Sequence, residues 1–254
     1  MKASFKSIVS LSLGALLLAS APQVSANTLL VDRGLPTDNL NNAAGANRSN
    51  VAWAYGVDSA GSWLVGDTFT NTSAASYTID TIRLWTVGAT TSATLWGGLS
   101  NAAAFAAISS TYTATTVQYT GGVDYQGSSG SSIAMTQLDF AVGITLGAGE
   151  TYAFFLDGSR PSDPFIPFLH ASNAALSGSP QDGSDGSMLV GLLSAGSIAA
   201  ADVAPWTSLG HGWDKASDVN VQVFGTVPEA GSSLILLGLA LAGLGSLRLK
   251  TRKS

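Results

Sequence analysis

The residues with the clearest potential for chemistry lie in a short glycine-rich loop, Gln181-Asp182-Gly183-Ser184-Asp185-Gly186. Two carboxylates on a tight loop suit calcium, because this hard cation binds clustered oxygen ligands at flexible geometry. The loop lacks the further acidic positions and the distal glutamate of an EF-hand, and Asp-Gly pairs also form ordinary turns. The sequence therefore predicts either a calcium site at Asp182 and Asp185 or a plain solvated turn, and no other cofactor.

A second group of candidate residues is aromatic. The chain has six tryptophans, and Trp206 and Trp213 lie in a segment rich in proline and glycine, where we expect them to be exposed. An exposed indole offers a large rigid surface for stacking against a sugar ring. Glycan binding through Trp206 and Trp213 is one interpretation, and packing of the tryptophans in a hydrophobic core is the other.

The sequence offers no recognisable catalytic set. Zero cysteines exclude thiol catalysis and thiolate metal sites. His170 and His211 have no second histidine at metal-ligand spacing, and no Gly-x-Ser-x-Gly elbow is present. Because Glu150 is the only glutamate before Glu229, no facing pair of carboxylates can be nominated for a glycosidase. We predict that the protein is not an enzyme; a secreted hydrolase is kept as an alternative.

The elements that must position these residues are predicted to be β-strands. Runs such as Tyr77 to Val87, Ile133 to Val142 and Asp218 to Phe224 combine β-branched and aromatic residues with glycine-rich joints. In the last run we expect Val219, Val221 and Val223 to point inward and Asn220 and Gln222 to point outward. Repeated short strands predict an all-β fold, an antiparallel β-sandwich or jelly roll.

Two further expectations concern local structure. The change of inward and outward residues within Tyr77 to Val87 predicts a bulge near Asp80-Thr81 or a strand buried on both faces. Ala102 to Ile108 and Leu189 to Ala201 are predicted as the only short helices. Gly147-Ala148-Gly149 is predicted to form a turn.

The amino-terminal segment has the pattern of an export signal. Lys2 and Lys6 precede an apolar run from Ile8 to Ala19, and the small residues Ser25-Ala26 favour cleavage before Asn27. The alternative is an uncleaved signal-anchor. Residues 1–26 are therefore predicted to be a signal peptide.

The carboxy-terminal segment has a second membrane signal. Val227-Pro228-Glu229 precedes an apolar stretch from Leu234 to Leu247, and four basic residues follow: Arg248, Lys250, Arg252 and Lys253. The stretch predicts a transmembrane helix, somewhat short for the roughly 20 residues that a span needs. Its basic flank is expected on the cytoplasmic side, which places the body of the protein outside the cytoplasm.

These three parts resemble the PEP-CTERM class of bacterial sorting signals, in which a Pro-Glu motif precedes a Gly/Leu-rich helix and a basic cluster. This chain has Ala230 where the commonest family motif has a second proline. The resemblance implies recognition by an exosortase-like protease or transpeptidase, which removes the tail and passes the protein from the inner membrane to the cell surface or the exopolysaccharide matrix. The alternative is a simple single-pass anchor.

The charge distribution separates the ends from the middle. All 16 acidic residues lie from Asp32 to Glu229, and only five of the 11 Lys and Arg residues share that region. Neutralising phosphates requires Lys and Arg, so we expect no nucleic-acid partner.

The sequence therefore predicts three regions: residues 1–26 as a signal peptide, 27–226 as a β-sandwich domain, and 227–254 as a sorting signal. The predicted function is a structural or adhesive role at the cell surface or in the extracellular matrix, with polysaccharide as a candidate partner. A carbohydrate-binding module is the alternative.

Overall fold

The structure is a computed structural model, and it describes residues 27–36, 51–52, 57–58, 61–87, 90–99, 107–124, 132–159, 168–170, 172, 180–205 and 218–227. The predicted signal peptide, the apolar stretch from Leu234 to Leu247 and the basic tail lie outside the described residues. The described part is all-β, as predicted, and contains no helix. None of its residues forms a helix that is long and apolar enough to cross a membrane.

The described residues form fourteen strands. The first seven are β1 Thr28–Asp32, β2 Val51–Ala52, β3 Val57–Asp58, β4 Gly61–Thr70, β5 Tyr77–Val87, β6 Ser92–Leu99 and β7 Ala107–Ile108. The others are β8 Ser110–Asp124, β9 Ser132–Leu146, β10 Thr151–Ser159, β11 Phe168–His170, β12 Leu189–Ser194, β13 Ser197–Pro205 and β14 Val221–Thr226. Most of the predicted strand runs are therefore confirmed, with ends shifted by a few residues.

The strands pair antiparallel in the order β1-β14-β5-β9-β8-β6-β10-β4-β12-β13-β7. Strand β11 joins β5 and β2, and β3 joins β4. Strand β8 pairs with β9 along most of its length and with β6 near its start, so it links the first half of the order to the second. The carboxy-terminal strand β14 lies inside this order, between β1 and β5.

The largest hydrophobic cluster contains side chains from both halves of the strand order. Ile82 and Leu84 of β5 and Phe140 of β9 share it with Phe69 of β4 and Phe154 of β10, all fully buried. On β10, the alternate residues Tyr152, Phe154 and Leu156 belong to this cluster, because every second side chain of a strand lies on the same face. The alternate residues Ala153 and Phe155 belong to a second cluster with Ile108 and Ile198. Strand β10 is thus buried on both faces.

The helix predicted at Leu189 to Ala201 is wrong. The segment forms the hairpin of β12 and β13 instead, with Leu193 opposite Ile198 and Ser194 opposite Ser197. Ala195 and Gly196 turn the chain, with φ values of 51° and 80°, the left-handed conformation that tight hairpin turns require. Ala107–Ile108, at the end of the other predicted helix, is likewise a strand, paired with β13. Burial against neighbouring strands overrides the helix propensity of alanine and leucine here.

Strand β5 and its neighbours contain the predicted irregularity. The register between β5 and β9 shifts between Ile79 and Thr81, which confirms the bulge. The turn at residues 147–149 is also confirmed, with Gly149 at φ 76°.

The predicted pattern of β14 is correct on one face only. Val219, Val221 and Val223 are fully buried as expected. Asn220 and Gln222, predicted to point outward, are also buried, at 1% and 9% exposure. Their burial has a polar cause, because the Asn220 amide donates to the Arg33 and Gly34 carbonyls at 2.7 and 3.1 Å.

Residues Asn27–Val227 form one compact unit. Its last strand ends at Thr226, one residue before the predicted sorting motif. Strand β1 begins at Thr28, the second residue after the predicted signal cleavage site.

Candidate functional site

The most distinctive site in the described residues is a buried ionic cluster built around Arg33. This residue follows β1 and has no exposed surface. Its Nη1 donates to Oδ2 of Asp67 at 2.9 Å and lies 3.6 Å from Oδ1 of Asp218. Both carboxylates are fully buried as well. We call Arg33, Asp67, Asp218 and Asn220 the clamp.

The remaining donors of Arg33 bind backbone carbonyls. Its Nη2 donates to the carbonyls of Thr68 at 2.6 Å and Gly183 at 2.5 Å, and its Nε donates to the carbonyl of Asp182 at 3.1 Å. A planar guanidinium with five donors can bind several acceptors at once. Arg33 thereby joins the end of β1, the middle of β4 and the loop before β12.

Asp67 lies in β4 and accepts hydrogen bonds at both oxygens. Thr68 N donates to Oδ1 at 2.7 Å, and Val219 N donates to Oδ2 at 2.6 Å. Burial raises the pKa of Asp67 to about 8, although the Arg33 guanidinium and these two amides act in the opposite direction. The nearby Asp218 carboxylate raises it further. The cluster holds three aspartates against one arginine once Asp185 is included, so retention of a proton at neutral pH reduces the excess of negative charge.

Asp218, just before β14, organises the loop predicted to bind calcium. We call residues 181–187 the aspartate loop. Its Ser184 hydroxyl donates to Oδ2 of Asp218, and the amides of Asp185 and Gly186 donate to Oδ1 at 3.3 and 3.1 Å. Gly183 and Gly186 have φ values of 61° and 74°, which favour glycine. Asp218 therefore satisfies the loop amides from outside the loop.

The two aspartates predicted to share a calcium ion accept hydrogen bonds from different segments of the chain. Oδ2 of Asp182 accepts from the amide of Asp32 at 3.1 Å, whereas Oδ1 of Asp185 accepts from the amide of Ser187 at 3.0 Å. Asp185 instead approaches Asp67 and Asp218: one oxygen of each lies within 4.8 Å of the others. Among the described residues, this is the group of acids with the spacing of a metal site, and Asp182 does not belong to it.

The carboxylates of Asp67, Asp185 and Asp218 suit the Arg33 guanidinium as their cation better than a bound metal ion. Three carboxylates at this spacing suit a divalent ion. The positive charge at this position is already supplied by Arg33, whose Nη1 contacts Asp67 and Asp218. Asp185 is exposed as a residue, and partial desolvation of its carboxyl, together with the neighbouring Asp218, raises its pKa. Calcium binding by Asp182 and Asp185 stays a prediction.

The clamp extends to His170 through Asn220. Nδ1 of His170 forms a hydrogen bond with Oδ1 of the Asn220 side chain. The backbone N–H of Asn220 donates to the His170 carbonyl at 2.9 Å. The His170 side chain is fully buried. A histidine in this position joins β11 to the residues preceding β14.

A small cavity lies beside the aspartate loop. Its volume is about 160 Å³, below the 300–1,000 Å³ typical of ligand pockets. Tyr77 borders it, and burial raises the pKa of this phenol to about 12. The other lining residues are Leu30, Val31, Thr70, Asn71, Thr72, Ser73, Asp182 and Gly183. A cavity of this size accommodates a few water molecules.

The other predicted site residues divide into two sets. Val227 is described and is 37% exposed at the end of the last strand. Those outside the described residues are Pro228, Glu229, Trp206, Trp213, Arg248, Lys250, Arg252 and Lys253. Trp85 is buried, and Trp63 and Trp96 pack against the two hydrophobic clusters, which supports core packing for these three.

Sequence reasoning missed the clamp. Its members lie at positions 33, 67, 218 and 220, and no local spacing relates them. One signal was available: Arg33 is one of only five basic residues in the predicted outer region, and it directly follows an apolar strand. A charged residue in such a position requires a buried partner if the strand is at a sheet edge next to the core.

Comparison with known proteins identifies the carboxy-terminal segment. Residues 226–253 match the family model of the PEP-CTERM protein-sorting motif. The predicted resemblance is therefore confirmed for this segment, which adjoins β14. No curated protein and no solved structure matches the chain.

Proposed function

We propose that this exported protein, whose carboxy-terminal segment is a PEP-CTERM sorting signal, is a structural or adhesive component of the cell surface or extracellular matrix and is not an enzyme. Signals of this class are recognised by exosortase-type processing enzymes at the membrane and imply export to the cell surface. The proposal adds an inner-membrane intermediate, removal of the tail and a mechanical role for the β unit.

The observation that carries the proposal is the direct connection between the folded unit and the sorting motif. Strand β14 ends at Thr226, and the match to the motif begins at the same residue. An attachment point made near Pro228 or Glu229 would thus adjoin a strand that is hydrogen-bonded on both sides. Such a connection suits a protein that holds other components at a surface.

The state of the acidic residues supports a non-enzymatic role. The carboxylates of Asp67 and Asp218 are fully buried, and both accept hydrogen bonds from backbone amides. Asp67 also accepts one from Arg33, whereas Asp218 lies 3.6 Å from the same guanidinium. A general acid or base must reach a substrate proton, and these groups face the protein interior. In the described residues, Asp67 and Asp218 hold together parts of the chain that are far apart in sequence.

The proposal includes a β-sandwich arrangement for the two halves of the strand order. It is supported by the shared hydrophobic cluster, to which β5 and β9 contribute from one half and β4 and β10 from the other. Two sheets that bury one common core are the usual solution for antiparallel strands with apolar inner faces.

Polysaccharide is the proposed partner, and Trp206 and Trp213 are the proposed contact residues. The case for these two is strengthened by the packing of Trp63, Trp85 and Trp96 in the hydrophobic clusters, which leaves fewer tryptophans for a surface role. Glycan-array binding should fall when Trp206 or Trp213 is changed to Ala and persist in the control Leu99→Ala, a change at an exposed strand end. Equal binding by all variants would overturn this contact.

The test of the surface role is mass mapping of both chain ends in inner-membrane, outer-membrane and culture fractions. The proposal expects an extracellular product that begins near Asn27 and ends near Pro228 or Glu229. Protein that keeps its complete carboxy-terminal segment and is found only in the inner membrane would overturn the surface role. Cell adhesion or matrix cohesion should be restored in a deletion strain by the full chain and not by a chain truncated after Val227, which lacks the sorting signal.

A further inference from the structure

The position of β14 gives it a second property beyond membership of the core. It is the strand that leads into the sorting motif, and it lies between two antiparallel neighbours. Gln222 to Gly225 pair with β1, and Val221 to Thr226 pair with β5. A pull on the carboxy-terminal side of Thr226 therefore acts along the axis of a strand that is held on both edges.

The direction of this pull determines how the hydrogen bonds are loaded. Hydrogen bonds between antiparallel strands run perpendicular to the strand axis. A force along β14 loads all of them together, in shear. A force that separates two neighbouring strands from one end breaks the same bonds one after another.

The clamp secures the opposite end of this strand. Before β14 begins, Val219 N donates to Asp67, Asn220 N donates to the His170 carbonyl, and the Asn220 amide donates to the Arg33 carbonyl. The amide of Arg33 in turn donates to the Val221 carbonyl at 2.9 Å. For β14 to slide toward the sorting motif, these buried bonds must break together with the strand pairing, and each buried charged group left without a partner is costly.

Close packing also opposes sliding. At Gly225, an added Cβ would lie 1.9 Å from the Thr78 carbonyl oxygen and 2.8 Å from a Leu30 methyl. At Gly225 the backbone of β14 therefore lies so close to β5 and to the Leu30 side chain of β1 that no side chain fits between them.

We propose that β14 and the clamp form a load-bearing element that carries tension from the carboxy-terminal attachment point into the whole sheet. The inference rests on the proposed surface role, because only a protein attached at its carboxy-terminal end experiences this pull. The amino-terminal end does not share the load. Thr28 lies opposite Gly225, at the same end of the strand pair as the attachment point, so a pull between these two ends would unzip β1 from β14.

Single-molecule force measurement on the full chain in detergent tests this element. The chain contains no cysteine, so two introduced thiols define the axis of pulling. The pair Thr91→Cys and Val227→Cys pulls along β14. Exposed Thr91 comes shortly after Val87, where β5 ends, and Thr226 pairs with Thr78 near the opposite end of β5. Thr28→Cys with Val227→Cys is the matched control, because it pulls the two adjacent ends apart.

The expected result is a rupture force about twofold or more higher for the Thr91/Val227 pair than for the Thr28/Val227 pair at one loading rate, since forced unfolding reports the barrier along the pulled direction. Equal or reversed forces would overturn the load-bearing element. Asn220→Ala should lower the force for the first pair and leave the second nearly unchanged. Ser184→Ala, which removes only one hydroxyl donor to Asp218, should do the same to a smaller extent.

The two proposals fail in different measurements. Equal rupture forces for a protein that is nonetheless mapped to the cell surface would overturn the load-bearing element alone. A strong directional difference in a protein confined to the inner membrane would overturn the surface role and with it the use of the strand under tension.

Discussion

Two of the arginine–aspartate pairs in the described part of the chain have similar distances and very different surroundings. Arg33 and Asp67 are joined at 2.9 Å with no exposed side-chain surface. Arg83 of β5 and Asp139 of β9 face each other across the strand pair at 2.7 and 2.9 Å, with 28% and 15% of their side chains exposed. The first pair joins segments far apart in sequence, whereas the second joins direct neighbours in a sheet.

The difference shows that burial changes how much the same interaction contributes to the stability of the fold. Water reaches the partly exposed Arg83–Asp139 pair and screens it, so the loss of this pair destabilises the protein less. The buried pair has no water to replace a missing partner. Removal of Asp67 leaves the buried Arg33 charge without its hydrogen-bonded partner, and removal of Arg33 leaves Asp67 and Asp218 without their buried donor and cation. A matched distance therefore does not imply a matched contribution to stability.

The largest expected effect is at Arg33. Arg33→Ala should lower the free energy of unfolding by about 3–5 kcal/mol, because Asp67 and Asp218 lose their buried cation. Urea unfolding followed by tryptophan fluorescence measures this loss. Arg83→Ala is the control for removal of an arginine, and a similar loss in both variants would contradict the comparison.

The pH dependence of stability sharpens the same comparison. The pKa of Asp67 is raised to about 8 in the folded protein, whereas an aspartate in an unfolded chain titrates near about 3.9. Between about pH 4 and pH 8 the folded state therefore binds a proton that the unfolded chain has lost, so stability falls as pH rises, by at most about 1.4 kcal/mol per pH unit for one group.

Urea titrations at several pH values check this slope. Asp67→Asn should flatten it, because the substituted amide does not titrate. Asp139→Asn should leave it in place. A wild-type stability that rises steadily from pH 4 to pH 8 would contradict a raised pKa of Asp67.

A smaller effect is expected in the aspartate loop, where the clamp meets the surface. Gly183→Ala should cost more than about 1 kcal/mol, because Gly183 has φ 61° and an added Cβ would lie 3.1 Å from the backbone of Thr70. Gly186→Ala is a matched control: its φ is 74° but an added Cβ meets nothing within 4 Å. Thermal unfolding should rank Gly186→Ala as the milder change, and the reverse order would show that the contact with Thr70 is unimportant.

The smallest effect is expected at the partly exposed Arg83–Asp139 pair. Arg83→Ala should cost only about 0.2–1 kcal/mol, and high salt should reduce the difference from the unchanged chain. Part of any loss comes from the ring of Phe224, which lies 5.0 Å from the guanidinium carbon. Comparison of Arg83→Ala with Asp139→Asn separates this contribution, because the second change keeps the stacked arginine.

Some features were determined by the sequence alone, because they depend on local pattern. The residue patterns of Tyr77 to Val87 and Asp218 to Phe224 predicted strands, and the change of phase near Asp80 predicted the bulge that the register confirms. The sorting signal was also readable, since its motif, apolar stretch and basic cluster are contiguous in the chain. Local propensity failed at Leu189 to Ala201, where apolar alanine-rich sequence forms a hairpin because neighbouring strands bury it.

Only the tertiary structure revealed the clamp and the position of β14 between β1 and β5. Arg33, Asp67 and Asp218 meet because β1, β4 and the residues before β14 converge, and no periodicity of one segment encodes that meeting. The same holds for Asn220, which alternation placed on the outside and packing buried against the Arg33 carbonyl. Side-chain alternation specifies which face a residue takes, whereas the order in which strands pair specifies what that face meets, and this order is a property of the whole chain.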